Sequence, residues 1–292
     1  LAVEWEQNAA DTFRLNFPHV PLYHGDIAKL SVDECLRLAS VKPGDLDVFD
    51  GSPPCQGFST AGKREIGDAR NQLFREYCRL LEGLRPRAFV MENVSGMVKG
   101  DFKIVFAEIL RTLKRCGYRV RARLLNAMFF GVPQSRERMI FVGVREDLCI
   151  EPSHPAGWSE PVSVARAVDG AVVSHGELVA LREAGLKYST YAKWNRMNPG
   201  QSRQNIGDSS GFSCVKLDPS RPCPAILKKD GDVSAHGKMH WAERRRPTTS
   251  EFMRWGSFPD AFKFIGGLGE SVERIGNSVP PLFMRAIAAH IR

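Results

Sequence analysis

The chain has 292 residues, of which 43% are hydrophobic and 25% charged, a composition typical of a globular protein with one large or two unequal domains. Its net charge of +8 favours an anionic partner, nucleic acid above all. Seven cysteines without a Cys-x-x-Cys pair argue against a disulfide framework or a zinc site of four thiolates, and no apolar run has the length of a transmembrane helix, so we expect a soluble, cytoplasmic protein.

The first half of the chain alternates strand and helix patterns. Apolar runs predict strands in the segments "LAVEW", "DLDVFDG", "AFVMENV", "YRVRARLLNA" and "RMIFVGVR". Helical spacing of apolar residues predicts helices in "QNAADTFRLNF", "NQLFREYCRLLEGLRP" and "FKIVFAEILRTLKRCGY". This alternation indicates an α/β fold with a largely parallel sheet and helices on both faces, in which ligands bind at the carboxyl ends of the strands.

The pattern changes after about Pro152. From there to about Arg246 the chain is rich in Gly, Ser, Pro, Lys and Arg and loses its periodicity, which predicts a second, smaller domain of irregular and partly β structure. We interpret "FIGGLGE" as a loop, "TTSEFMRWGSF" as a short helix, and "SVPPLFMRAIAAHIR" as a helix that starts at a proline.

Four polar side chains are candidates for chemistry. "SPPCQGFS" places Cys55 on a proline-stiffened turn after a strand, a mounting that a buried structural cysteine does not need but a nucleophile does. Glu92 in "MENV" comes at the end of another strand, where a carboxyl group with a raised pKa can act as an acid. Arg136 and Arg138 in "QSRER" are two residues apart, which in an extended segment places both on one face.

Five segments in order, "SPPCQGFS", "MENV", "QSRERMIFVGV", "RRPTTSEFMRWGSFPD" and "IGNSVPP", resemble the motif series of the DNA (cytosine-5) methyltransferases, of the bacterial modification type. The resemblance implies a doubly wound α/β fold of the S-adenosylmethionine-dependent methyltransferases with a smaller target-recognition domain. It places the catalytic and cofactor-binding domain at 1–160 plus 270–292, the target-recognition domain at 161–245 and a hinge at 246–269.

The resemblance also implies an activity: transfer of a methyl group from S-adenosyl-L-methionine to carbon 5 of a flipped cytosine in a specific short site of duplex DNA. Cys55 would add to carbon 6, Glu92 would contact ring N3, Arg136 would hold the carbonyl at carbon 2, and Arg138 would support Glu92 or the strand edge. A modification methylase of this kind would be associated with the bacterial nucleoid, and no metal is implied.

Cofactor and DNA contacts follow from the same resemblance. Glu4 would bind the ribose, Trp5 would stack on the adenine, and Asp26 and Ile27 would contact its amino group and ring. Further positions that would line the cofactor pocket are Pro54, Leu73, Asn277 and Val279. DNA would be contacted by the loop residues Gln56, Ser59, Lys63 and Arg64, and by Lys193, Asn195, Arg196, Arg203 and Gln204 of the recognition domain.

The sequence departs from the family's pattern in two places. The Phe-x-Gly-x-Gly turn that receives the methionine part of the cofactor is not found, so we expect it in a missing upstream segment or in another chain. In "PCPAIL", Ala225 stands where many members have a threonine. The alternatives are a tRNA cytosine-5 methyltransferase, although "GFSCV" does not match that group's Cys-Phe-Thr signature, and a catalytically impaired DNA-binding regulator.

Overall fold

The computed structural model describes residues 1–53, 69–98, 102–187, 191–207, 214–231 and 237–291. The chain divides into two compact units. The first unit comprises Leu1–Leu125, Glu137–Ala156 and Ile287–Arg292, and the second comprises Asn126–Arg136 and Gly157–Ala286. Across the described ranges, no helix combines the length and the apolar character needed to cross a membrane.

In chain order, the strands of the described residues are β1 (Ala2–Glu4), β2 (Leu22–His24), β3 (Val48–Gly51), β4 (Ala88–Val94), β5 (Tyr118–Asn126), β6 (Gln134–Ser135), β7 (Glu137–Arg145), β8 (Cys214–Lys216), β9 (Cys223–Pro224) and β10 (Gly237–Met239). Among the described residues, the three longest strands are β4, β5 and β7, and the others have two to four residues.

The sheets of the first unit are mostly parallel. β1 pairs with β2 in parallel, and a four-stranded sheet has the order β3-β4-β7-β5. In that sheet β3 and β4 are parallel, with Asp50 opposite Val90, whereas β4 and β7 are antiparallel, with Glu92 opposite Ile140. The predicted α/β fold with a largely parallel sheet is confirmed.

The five segments predicted to be helical each contain a helix, and the described residues include four more helices, at 32–39, 164–167, 175–187 and 268–277. In chain order, the helices are α1 (Gln7–Asn16), α2 (Val32–Ala39), α3 (Ala69–Leu84), α4 (Phe102–Arg115), α5 (Val164–Ala167), α6 (His175–Lys187), α7 (Thr249–Trp255), α8 (Leu268–Asn277) and α9 (Pro281–Ile291). The segment interpreted as a loop contains the start of α8, because the Glu270 carboxylate accepts a hydrogen bond from the backbone N–H of Gly267 and so caps the helix.

The core of the first unit is aromatic. The ring of Phe89 on β4 meets Tyr118 edge to face, with ring centroids 5.2 Å apart, and Tyr77 of α3 lies on its other side. Phe89 lies opposite Gly143 of β7, where a side chain would overlap its ring. Residues of α3 and α4 belong to the same buried cluster and pack on this sheet.

The core of the second unit combines two helices with residues of the irregular region. Trp255 and Phe252 of α7 pack with Val272 and Ile275 of α8, and with Ile226 from the irregular region. This packing places 246–286 in the second unit, whereas the sequence assigned that stretch to a hinge and to the catalytic domain. The functional boundaries 1–160 plus 270–292, 161–245 and 246–269 stay predictions.

Candidate active site

Glu92 and Arg138 form a mostly buried ion pair at the carboxyl end of β4. β4 and β7 run antiparallel there, with Val94 opposite Arg138, so the arginine reaches back across the strand. Arg138 Nε lies 2.6 Å from Glu92 Oε1. A charge-assisted contact of this length fixes the orientation of the carboxyl group. The pair therefore holds the Glu92 carboxyl group in a fixed position, and its catalytic role stays a prediction.

Asn93 ties β4 to the segment that leads to Cys55. Its side chain is buried, and Nδ2 donates a hydrogen bond of 2.9 Å to the carbonyl oxygen of Pro53, just after the end of β3. Sequence reasoning missed this residue, although it stands beside Glu92 in "MENV". Six predicted site residues lie outside the described residues: Pro54, Cys55, Gln56, Ser59, Lys63 and Arg64.

Asp50 is a second carboxyl group on the same face of the sheet as Glu92. It pairs in parallel with Val90, and Glu92 is two residues further along β4, so both side chains point to one side. Although Asp50 is exposed to solvent on one side, desolvation by the surrounding protein raises its pKa to about 6, and the charge of Glu92 adds to the shift. The sequence does not reveal that Asp50 lies beside Glu92, because their proximity depends on the strand register.

The structure differs from the expectation for Arg136. β6 ends at Ser135 and β7 begins at Glu137, so Arg136 occupies a break and does not share a strand face with Arg138. Its side chain is only 4% exposed. Nη1 donates to the carbonyl of Ile226 at 3.0 Å, and Nη2 donates to that of Gly276 at 2.8 Å. Arg136 thus joins three segments of the second unit, and its contact with a base stays a prediction.

A cavity of about 410 Å³ in the first unit brings together five of the predicted cofactor residues. Its lining consists of Val3, Glu4, Trp5, Gly25, Asp26, Ile27, Ala28, Gln72 and Leu73. These residues end or follow β1, follow β2 or lie on α3, so the carboxyl ends of two parallel strands form one edge of the cavity.

The donor set of this cavity fits an adenosine group. Glu4 Oε1 accepts backbone hydrogen bonds from Trp5 at 2.8 Å and Glu6 at 3.0 Å, which fixes a carboxylate beside the cavity for ribose hydroxyls. The Trp5 side chain is 78% exposed, so its ring offers a face for stacking. Asp26 Oδ1 caps the following turn through the backbone N–H of Ala28.

The two other predicted cofactor residues that the structure describes belong to the second unit. Asn277 is the exposed last residue of α8, directly after the Gly276 carbonyl that Arg136 holds. Val279 is half-buried before α9. The predicted recognition residues lie on two short 3-10 turns, Trp194–Arg196 and Arg203–Ile206, and at the residue preceding the first of them. Asn195, Arg196 and Gln204 are exposed, and Lys193 and Arg203 are half-buried.

Comparison with known proteins agrees with this arrangement. The family described as C-5 cytosine-specific DNA methylase matches residues 1–292. The chain is 35% identical to the type II methyltransferase M1.HphI of Haemophilus parahaemolyticus over 306 residues, which cover 99% of this chain and 79% of the relative. It is 32% identical to the type II methyltransferase M.NgoPII of Neisseria gonorrhoeae, covering 100% of this chain and 88% of the relative.

Solved structures share the fold. The Dnmt2 methyltransferase of Schizosaccharomyces pombe superimposes with a TM-score of 0.67 at 17% identity, covering 99% of this chain and 89% of that chain. A DNA modification methyltransferase encoded within an Escherichia coli prophage superimposes with a TM-score of 0.75 at 24% identity, covering 98% and 89%. At these identities the likeness concerns the fold.

Proposed function

The chain belongs to the C-5 cytosine-specific DNA methylase family, and from that membership we propose its reaction and the residues that perform it. It transfers a methyl group from S-adenosyl-L-methionine to carbon 5 of a flipped cytosine in a specific site of duplex DNA. The observation that carries the residue assignment is the Glu92–Arg138 pair at the carboxyl end of β4. Association with the bacterial nucleoid follows from a DNA substrate and is part of the proposal.

The proposed mechanism divides the work among few side chains. The Cys55 thiolate adds to carbon 6 of the flipped cytosine, and the proton at carbon 5 leaves after methyl transfer, which expels the thiolate. Glu92 holds ring N3 while Arg138 keeps its carboxyl group in place, so charge that develops in the ring is stabilised. Because Arg136 is engaged with two backbone carbonyls, Arg138 is the arginine we assign next to the base.

Five residues of the first unit would hold the adenosine part of the cofactor. Glu4 would bind the ribose and Trp5 would stack on the adenine, with Asp26, Ile27 and Leu73 around the ring. When bound, S-adenosyl-L-methionine supplies an electrophilic methyl group. The protein's own contribution is to orient that group by fixing Glu4 through two backbone hydrogen bonds.

Transfer of a tritiated methyl group tests the reaction and separates it from its rivals. We expect label in duplex DNA and none in tRNA, and bisulfite sequencing should place it at one short cytosine-containing site. Cys55→Ser should abolish transfer and Glu92→Gln should slow it about a hundredfold, whereas the exposed control Glu82→Gln should retain full activity. Label in tRNA alone, or specific DNA binding without transfer, would support one of the two alternatives.

A second cavity indicates how cofactor binding is completed. It has a volume of about 550 Å³ and lies between β1 and β3, with Leu1 to Val3 on one side and Val48 to Gly51 on the other. β1 pairs with β2, and β3 pairs with β4; within the described part of the chain the opposite edges of β1 and β3 have no partner strand. Val48 is 39% exposed there.

We propose that an apolar strand carrying the Phe-x-Gly-x-Gly turn fills this cavity and pairs with both edges. Unpaired strand edges require backbone partners, and the apolar lining suits an apolar strand. The cavity shares Val3, Ile27 and Leu73 with the cofactor pocket, so a turn at the end of such a strand would reach the cofactor.

Calorimetry with S-adenosyl-L-methionine tests this proposal. The chain of 292 residues alone should bind weakly, and a synthetic peptide with an apolar strand followed by Phe-x-Gly-x-Gly should raise the affinity at least about tenfold. A peptide with proline at two strand positions is the control, since proline removes the N–H donors that pairing needs. Tight cofactor binding without any peptide would contradict the proposal.

A further inference from the structure

Lys216 at the end of β8 is a buried lysine whose ammonium group donates hydrogen bonds to backbone carbonyls. Its side chain is 7% exposed. Nζ donates a hydrogen bond of 3.0 Å to the carbonyl of Met197 and a longer one of 3.5 Å to that of Trp194. Desolvation lowers its pKa. A buried cation is costly, so its position calls for a reason beyond filling space.

The same ammonium group fixes the ring of Trp194. Nζ lies 3.5 Å from the ring centroid, a cation–π contact. On its edge, Trp194 Nε1 donates to the carbonyl of His240 at 2.8 Å. The indole is therefore held on its face by a cation and on its edge by a hydrogen bond, which leaves it a single orientation.

The backbone of Lys216 also holds the far end of the same segment. Its N–H donates to the carbonyl of Gln201 at 2.9 Å, and its carbonyl accepts from the N–H of Gly200 at 2.8 Å. One residue thus anchors the segment 194–201 at both ends. Met197 is buried within it, whereas Asn195 and Arg196, between the anchored Trp194 and Met197, are exposed.

We propose that Lys216 is a positioning residue for DNA site recognition, holding the segment 194–201 in the shape in which Asn195 and Arg196 meet base edges. The proposal rests on the proposed function in that the segment reads DNA. An arginine suits guanine and an asparagine suits adenine in the major groove, but only from a fixed backbone. Lys216→Met would keep the volume but leave the carbonyl of Met197 without its lysine donor, while the carbonyl of Trp194 keeps the backbone N–H of Met197 as a donor.

Selection of bound duplexes from a random DNA library tests the proposal and needs no methyl transfer, so failure of the catalytic proposal and failure of this one are distinguishable. We expect the unmodified chain to enrich one short sequence. Lys216→Met should lower that enrichment about tenfold, with unchanged affinity for unrelated duplex DNA and an unchanged slope of affinity against salt. Lys216→Arg should restore most of it.

Two further variants complete the design. Lys229→Met removes the same charge at an exposed position of the second unit and should leave enrichment unchanged. Trp194→Phe keeps a ring for the ammonium group and deletes the hydrogen bond to His240, so it should lower enrichment by a smaller factor. If Lys216→Met does not fold, this variant tests the proposal in its place. Unchanged enrichment in the folded variants, an equal loss in Lys229→Met, or no enrichment by the unmodified chain would overturn the proposal.

Discussion

The two units differ in what their interiors contain. In the first unit the buried polar side chains among the described residues are Thr12 and Asn93, neither of them charged. In the second unit they include charged groups of both signs, namely Arg136, Lys216, Asp230, Lys238, Arg245, Arg246 and Glu251. Both units have an aromatic core, but only the second adds buried charged side chains to it among the described residues.

The difference follows from where the backbone carbonyls find donors. In the four-stranded sheet, neighbouring strands satisfy each other. In the second unit, irregular backbone is buried, and side chains with several donors take over: Arg136 serves two carbonyls and Arg246 donates to that of Asp230. The buried carbonyls of the irregular domain therefore depend on individual cationic side chains for donors, whereas those of the sheet depend on strand pairing.

The largest effect that distinguishes the two interiors should come from Arg245→Met. Arg245 Nη1 and Nη2 each donate to Glu251 at 2.9 Å, and both side chains are buried. Removal of the cation leaves a buried carboxylate unpaired, so the free energy of unfolding should fall by about 3–5 kcal/mol. Urea unfolding followed by tryptophan fluorescence measures it, since every tryptophan except Trp5 belongs to the second unit.

Two controls sharpen that measurement. Arg182→Met breaks an ion pair of 2.6 Å with Glu243, but Arg182 is 55% exposed, so its loss should cost less than about 1 kcal/mol. The double variant Arg245→Met/Glu251→Met removes both charges and should recover a large part of the stability. An equal loss from Arg182→Met would mean that burial does not explain the comparison.

A smaller effect is expected from Gly143→Ala in the first unit. A methyl group there would overlap the ring of Phe89 on the paired strand, so the core must shift at a cost of about 1–3 kcal/mol. Faster hydrogen exchange of the β4 and β7 amides would register the change. Gly96→Ala is the matched control, because a methyl group at Gly96 meets nothing within 4 Å. Identical exchange in both variants would contradict the tight packing.

The smallest effect concerns Asp50, the carboxyl group of the first unit that ionises late. Its side chain is partly open to solvent, yet the neighbouring protein and the charge of Glu92 raise its pKa from the usual 3.8 to about 6. The folded state keeps the proton that the unfolded chain releases, so this group lowers stability progressively as the pH rises from about 4 to 6. Asp50→Asn should remove that decline, so the stability difference between variant and parent should grow over this window in urea titrations. A constant difference would place the pKa of Asp50 near its usual value.

The sequence predicted the parts of the site that regular elements carry. Glu92 and the residues around the adenosine cavity follow strands whose apolar patterns are readable, and strand ends are where an α/β sheet binds ligands. The sequence did not predict the surroundings of Arg136, because a spacing of two residues does not reveal that the strand is interrupted between β6 and β7. The contacts of Lys216 were not predicted because its acceptors lie in an aperiodic segment elsewhere in the sequence. Long-range contacts in irregular backbone leave no periodic signal.

The contacts of Arg136 also determine when, during translation, the second unit can complete its core. Its guanidinium needs the carbonyl of Gly276, which is 140 residues further along the chain. At about 5–20 residues per second a ribosome takes roughly 7–28 s to cover that distance. Throughout that interval the nascent second unit holds an arginine without its final acceptor, so it completes its core only as translation nears Gly276. All four strands of the first unit's main sheet exist much earlier, once Arg145 has been added, although the last segment of that unit, Ile287–Arg292, is made after Gly276.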